Sequence, residues 1–279
     1  MEDKFELYEL RDFNSKFNYA ADFLRQNVNQ LGKSILYILG PFYLILNIFI
    51  LFLAIDINKG MSTGLMFFVS LSMFFVGTLV LKSIVYSYMK VYFDNPYDTI
   101  SVKTIWKATR KYILSMLAAF IVTKLLVSIS FFFLIIPAVY LGVVFSIIYP
   151  IIVFEDRGFA DALNRCFELI KEKWWSTWGI QLIFVPVVNL FFIGFIRAGF
   201  SIFGIIQAAF SFNLFFEELY VFWFTLIFFI IFFVLYAIYT FMYVVLAFQY
   251  GYLVERKESI GIISKINNIG NEEQAEISI

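Results

Sequence analysis

Stretches of about 18 or more apolar residues with almost no charge recur along this chain, and they constrain its fold more than any other feature. Roughly 20 helical residues cross the hydrocarbon layer of a bilayer, and in that layer only helices or closed barrels satisfy their own backbone. Six such spans are read: Ser34 to Ile55, Gly64 to Lys90, Tyr112 to Ile136, Ala138 to Phe154, Ser176 to Arg197 and Tyr220 to Val254. With 62% hydrophobic and 15% charged residues, the chain carries more apolar surface than a water-soluble core absorbs. The expected fold is all-α, a polytopic integral membrane protein of six transmembrane helices.

Flanking charge sets the orientation. Five cations precede the first span (Lys4, Arg11, Lys16, Arg25, Lys33), and one, Lys59, lies between the first and second. Lys90, Lys103, Lys107, Arg110 and Lys111 follow the second span, Arg157, Arg165, Lys171 and Lys173 the fourth, and Arg256, Lys257 and Lys265 the sixth. Alternate segments hold seventeen cations against one, a strong positive-inside bias that puts both termini in the cytoplasm. About thirty polar, charged and aromatic residues precede the first apolar run, so no cleaved secretory signal is expected. The expected organisation is a cytoplasmic amphipathic helix over 1–33, a six-helix membrane domain over 34–255, and a polar, unstructured cytoplasmic tail over 256–279. Pro137 implies a tight outer turn between the third and fourth spans. The long apolar stretch from Ser176 to Phe216 and the long last span imply a helical hairpin projecting outward beyond Arg197.

The cytoplasmic segments before the odd-numbered spans share a helical apolar stripe. It runs through Phe13, Phe17, Ala20, Leu24, Val28 and Leu31 in the first, and through Val102, Ile105, Trp106, Thr109 and Ile113 in the second. In the third it runs through Phe159, Ala162, Leu163, Cys166, Ile170 and Trp174, with Asp161, Arg165, Glu168 and Glu172 on the polar side and Asp161 placed to pair with Arg165. Three repeats of surface helix, outward span and return span are the expected plan. The third surface helix lies in the interface plane, ending at Trp174, Trp175 and Trp178 where indoles favour the headgroup level.

The stretch "IIPAVYLGVVFSIIYPIIVFEDRGFADALNRCFELIKEKWW" resembles the membrane domain found beside bacterial glycerophosphodiester phosphodiesterases and related six-span bacterial membrane proteins. The shared features are Pro137, Pro150, Glu155, Gly158, Ala162 with Leu163, and Lys173 with Trp174; Cys166 departs from the serine common there. The resemblance implies a six-helix membrane fold and carries over no catalytic residue.

Histidine is absent and Cys166 is the only cysteine, which removes the usual general base and commonest metal ligand. The chain is therefore expected not to be an enzyme and to take no cofactor. Three cations sit inside spans: Lys82, Lys124 and Arg197. A charge at the bilayer centre costs about 2.5–3.5 kcal/mol on insertion scales, so these are candidate anion or lipid contacts. Lys82 is near enough to the cytoplasmic edge to snorkel, Arg197 marks an outer boundary, and Lys124 lies far from both interfaces. Arg25, Lys107 and Lys171 are candidate headgroup contacts. Tyr97-Asp98 lacks the Gly-x-Gly-Asp partner of an intramembrane aspartyl protease, and the Pro-x-acid-x-x-base signature of three-repeat carriers is missing.

The functional expectation is a non-enzymatic subunit or scaffold of a bacterial inner-membrane assembly. Its partners would be the bilayer and other membrane or periplasmic subunits; zero net charge points to no nucleic acid. The alternative is a transporter or lipid-handling protein in which Lys124 and Arg197 meet an anionic substrate. The two readings part on whether those residues line one polar cavity.

Overall fold

The computed structural model describes residues 5–55, 63–94, 100–209 and 214–266, and among them every regular element is helical. The helices are α1 (Phe13–Ile55), α2 (Thr63–Asp94), α3 (Val102–Phe133), α4 (Ile135–Val144), α5 (Ile148–Phe154), α6 (Phe159–Ile170), α7 (Trp174–Ala209) and α8 (Leu214–Glu258). A short helical stretch follows at 260–266. Lys59, Asn95-Pro96, Tyr97-Asp98 and the tail beyond residue 266 lie outside the described residues, as do the side chains of Glu217 and Glu218.

Among the described residues, five segments are long and apolar enough to cross a membrane: Phe74–Asp94, Val102–Phe133, Ile135–Phe154, Trp174–Phe191 and Val234–Glu258. Their burial separates centre from rim. The spans of α2 and α8 are 61% and 67% buried, against 17% and 22% for α3 and α7. The centre is therefore α2, α8 and α5, where Ile84, Val85, Tyr86, Ile151, Ile152, Val244 and Phe248 are fully enclosed, and α3 and α7 turn their apolar sides outward.

Prolines account for the breaks in the fourth span. α3 stops at the extended Leu134, and Pro137 sits in the first turn of α4, where its missing N–H costs no helical bond. Pro150 occupies the same place in α5. Its ring would collide with the carbonyl four residues back, and the chain passes through a single 3₁₀ turn at Phe145–Ile147 just before it.

The first two cytoplasmic segments are not separate elements. α1 runs unbroken through position 33 and α3 through position 112; only the third segment, α6, is parted from its span, by a turn at 171–173. The first turns of α1 lie across the bundle. Phe17 stacks on Phe184 of α7 at 5.9 Å, Tyr19 and Phe23 both meet Phe248 of α8 at 5.2 and 6.0 Å, and Phe23 meets Tyr92 of α2 at 5.1 Å.

The buried stripe of α1 is rotated from the expected one. It comprises Lys16, Ala20, Phe23, Asn27, Leu31 and Ser34, while Val28 is exposed. Polar members are tolerated because they find partners: Asn27 donates to the Phe23 carbonyl at 2.9 Å and accepts from Tyr88 Oη at 2.8 Å. In α3, Ile105, Thr109, Tyr112 and Met116 are buried and Trp106 is exposed. The apolar face of α6 packs on α5 and α8, so it rests on protein where a lipid contact was expected.

Both ends of the described chain meet at one end of α8. Phe5 and Leu7 are buried, with Phe5 against Tyr19 and Phe23 at 5.0 and 5.4 Å. After Ser259, at φ 53°, Glu255 accepts from the amides of Gly261 and Ile262 at 2.6 and 3.1 Å and so caps the 260–266 stretch. Lys265 then pairs with Glu6 at 2.8 Å. Residues 256–266 are thus helical apart from Ser259, where a structureless tail was expected.

Gly251 permits this closure, because a Cβ there would run into the Leu7 carbonyl oxygen, a backbone atom that cannot swing aside. Gly251→Ala is expected to destabilise the protein by about 1–3 kcal/mol, the range for overpacking. Thermal unfolding in detergent would register a lower Tm, and limited proteolysis faster cleavage before Asp12; an unchanged Tm would contradict the close packing.

Candidate functional site

The polar residues sort into a lysine inside the bundle, an ionic ring at the C-terminal end of α5, and a cationic cleft beside α1. Lys82 lies on α2 within the central bundle. Its Nζ stands 4.2 Å from the Tyr149 ring centre of α5 and 5.4 Å from that of Tyr243 on α8. Aromatic faces attract ammonium groups, by up to about 2 kcal/mol where water is excluded. The side chain therefore stays among the tyrosines, where snorkelling to the edge was expected. Lys124, on α3, is exposed with Nζ 6.0 Å from the Phe120 ring. Arg197 is exposed on α7. Helices α3 and α7 are not a packed pair, and among the described residues no carboxylate comes within ion-pair distance of Lys82, Lys124 or Arg197. The fold thus encloses Lys82 among tyrosines and leaves Lys124 and Arg197 exposed on two helices that do not pack together.

The ring is built on Glu155 and Asp156, which follow α5 directly. Glu155 accepts from Arg165 Nε at 3.2 Å and from Tyr250 Oη at 3.0 Å, and its second oxygen lies 2.6 Å from Arg157 Nε. Arg165 is buried. It also binds Glu258 at the end of α8 and reaches Glu168 at 3.3 Å, so the expected pairing with Asp161 does not form. One guanidinium thereby ties α6 to both α5 and α8, as its rigid fork allows. Cys166 is buried beside it, and burial pushes its thiol well above the usual range, away from reactivity.

Asp156 holds a left-handed backbone, φ 52°, a region where Asp and Asn are tolerated. Its carboxylate receives Lys111 at 2.6 Å, Tyr112 Oη at 2.5 Å and Lys90 at 3.0 Å, joining α2 and α3 to the α5–α6 corner. Burial opposes its ionisation, but these three bonds outweigh burial and hold its pKa at about 2.

The headgroup candidates are peripheral. Arg25 is exposed and 3.6 Å from Asp22, Lys171 is exposed in the turn after α6, and Lys107 lines a shallow cleft on α3 with Lys103, Thr104, Trp106 and Arg110. A residue that sequence reasoning treated only as a topology marker is more deeply placed. Lys16 is 1% exposed, donates to Gln249 Oε1 at 2.6 Å, and lies 3.6 Å from the Tyr252 ring centre. Gln249 is oriented by donating to Thr177 Oγ at 3.0 Å. Burial, and then the neighbouring Arg11 charge, lower the Lys16 pKa to about 8. Lys16 shares helical spacing with Ala20, Phe23 and Asn27, but nothing local in the sequence marks it as buried.

Comparison of the chain with family models, curated proteins and solved structures gives no match.

Asp156→Asn tests the ring while keeping the backbone conformation. A folded-state pKa lowered from 3.8 to about 2 contributes stability above pH 4 that is lost as pH falls through 2. The carboxylate is 45% exposed, so solvent screening reduces the contribution to about 1 kcal/mol. Thermal melts from pH 7 to pH 2 should show the variant less stable at neutral pH and equal to wild type near pH 2. A gap that persists at pH 2 would place the effect outside the carboxylate's charge.

Proposed function

We propose that the chain is a non-enzymatic, six-span integral membrane protein of the bacterial inner membrane, acting as a subunit or scaffold of a larger assembly with both termini in the cytoplasm. The observation that carries this reading is the separation of the intramembrane cations. A path for an anionic substrate needs Lys124 and Arg197 in one cavity, and they stand exposed on helices that do not pack together.

The sixth crossing falls to α1. Five crossings would leave the two ends on opposite faces, whereas residues 5–11 and 260–266 meet beside α8; an added crossing by α1 restores an even number. The flank before the first span and the flank after the last together hold eight of the seventeen cations of the positive-inside set, which favours a cytoplasmic position for both ends. The apolar sides of α3 and α7, with Leu114 76% and Leu190 71% exposed, give a wide lateral surface for lipid and neighbouring subunits.

Affinity purification of the full chain in mild detergent, after cross-linking in membranes, is expected to retain a membrane protein in fixed ratio. Lys124→Met should keep that ratio and raise the amount inserted, since it removes a costly charge. Recovery as a lone monomer in several detergents, or loss of the partner with Lys124→Met, would contradict the proposal.

A further inference from the structure

Beside Lys16 opens a cleft of about 550 Å³ whose lining includes Arg11, Asp12, Lys173, Ser176, Tyr252 and Arg256. Its charge is unbalanced, with four cations including Lys16 against the single carboxylate of Asp12. Two of those cations are already engaged. Arg11 binds Glu9 and the Glu6 carbonyl and stacks over Tyr19 at 3.9 Å, while Arg256 pairs with Glu172 at 3.2 Å. For Lys16 and Lys173 no carboxylate stands within ion-pair distance among the described residues; Asp12 acts on Lys16 only from further away.

A buried ammonium without a counter-anion is costly, and buried charges are ordinarily paired. Lys16 uses one donor on Gln249 and rests against the Tyr252 ring, which leaves donors for a ligand in the cleft. The aids around it are those that recognise phosphate: a point charge, a rim lysine, a guanidinium and the hydroxyls of Ser176 and Tyr252. Lys173 and Ser176 of the lining are close in sequence to Trp174, Trp175 and Trp178, whose rings lie 5.0–5.7 Å apart, and clustered indoles mark the headgroup level of a bilayer.

We propose that this cleft binds a phosphate-bearing anion, with Lys16 as its buried counter-charge and Lys173 closing over it from the rim. The site stands independently of the scaffold reading, because its test measures ligand binding and does not involve a partner protein. Phosphate chemistry has two sources here, the headgroup of an anionic phospholipid and a free phosphate.

The full chain in phosphatidylcholine nanodiscs would be titrated separately with dihexanoyl phosphatidylglycerol, inorganic phosphate and dihexanoyl phosphatidylcholine, reading Tm and tryptophan fluorescence. At least one anion should raise Tm saturably. Lys173→Ser and Lys16→Met should each weaken its binding tenfold or more, while Lys33→Ser, an exposed cation seventeen residues along α1, should bind like wild type. Should Lys16→Met fail to fold, the half-buried Lys173 still decides the question. Response to the anionic lipid alone identifies a headgroup site, and an equal response to inorganic phosphate identifies a soluble phosphate. Stabilisation by neither anion, an equal effect of the zwitterionic lipid, or unchanged binding in Lys173→Ser would overturn the assignment.

Discussion

A cation next to a bilayer must find a counter-charge, an aromatic face or water, and the arrangement of this protein follows from how each one does so. Asp156 neutralises Lys90 and Lys111, Glu155 and Glu258 neutralise Arg165, and Tyr149 with Tyr243 solvates Lys82. These contacts join helices that are distant in sequence. α2 and α3 are pinned to the corner after α5, and α6 is pinned to α5 and α8. The apolar centre supplies cohesion but little direction, since lipid is as apolar as leucine; the ionic ring gives register to the helix ends it joins.

The same requirement organises the two chain ends. Residues 5–11 fit beneath α1 because Arg11 satisfies the carbonyls of Glu6 and Leu7 and because Gly251 leaves room for the Leu7 carbonyl. Glu255 turns the chain after α8 and Lys265 returns to Glu6. Both segments therefore form part of the packed structure.

Much of the architecture was legible in the sequence because it depends on periodicity and on proline. The apolar runs gave helices, Pro137 gave the turn between α3 and α4, and the surplus length of the last span reappears in α8, 45 residues long. What could not be read depends on partners remote in sequence. Arg165 looked like a solvated residue paired with Asp161 four positions earlier, since its actual partners Glu155 and Glu258 adjoin it only once α5 and α8 pack. Lys16 was hidden likewise, because Gln249, Thr177 and Tyr252 converge on it from α7 and α8. The apolar stripe of α1 was misplaced by one step for that reason: Val28 has the right hydropathy but no neighbour, while Asn27 has Tyr88. Lys124 and Arg197 were joined by kinship of charge alone, and the fold puts them on helices that do not pack together.

The central claim is that an even number of helices crosses the membrane, with both interlocked ends on the cytoplasmic side. Cysteine labelling in a Cys166→Ala background tests it most directly, using Asn14→Cys and Ser264→Cys, both exposed positions, and a maleimide that cannot cross membranes. Both sites should stay unlabelled in intact cells and react once the membrane is permeabilised; labelling of either in intact cells would contradict the account.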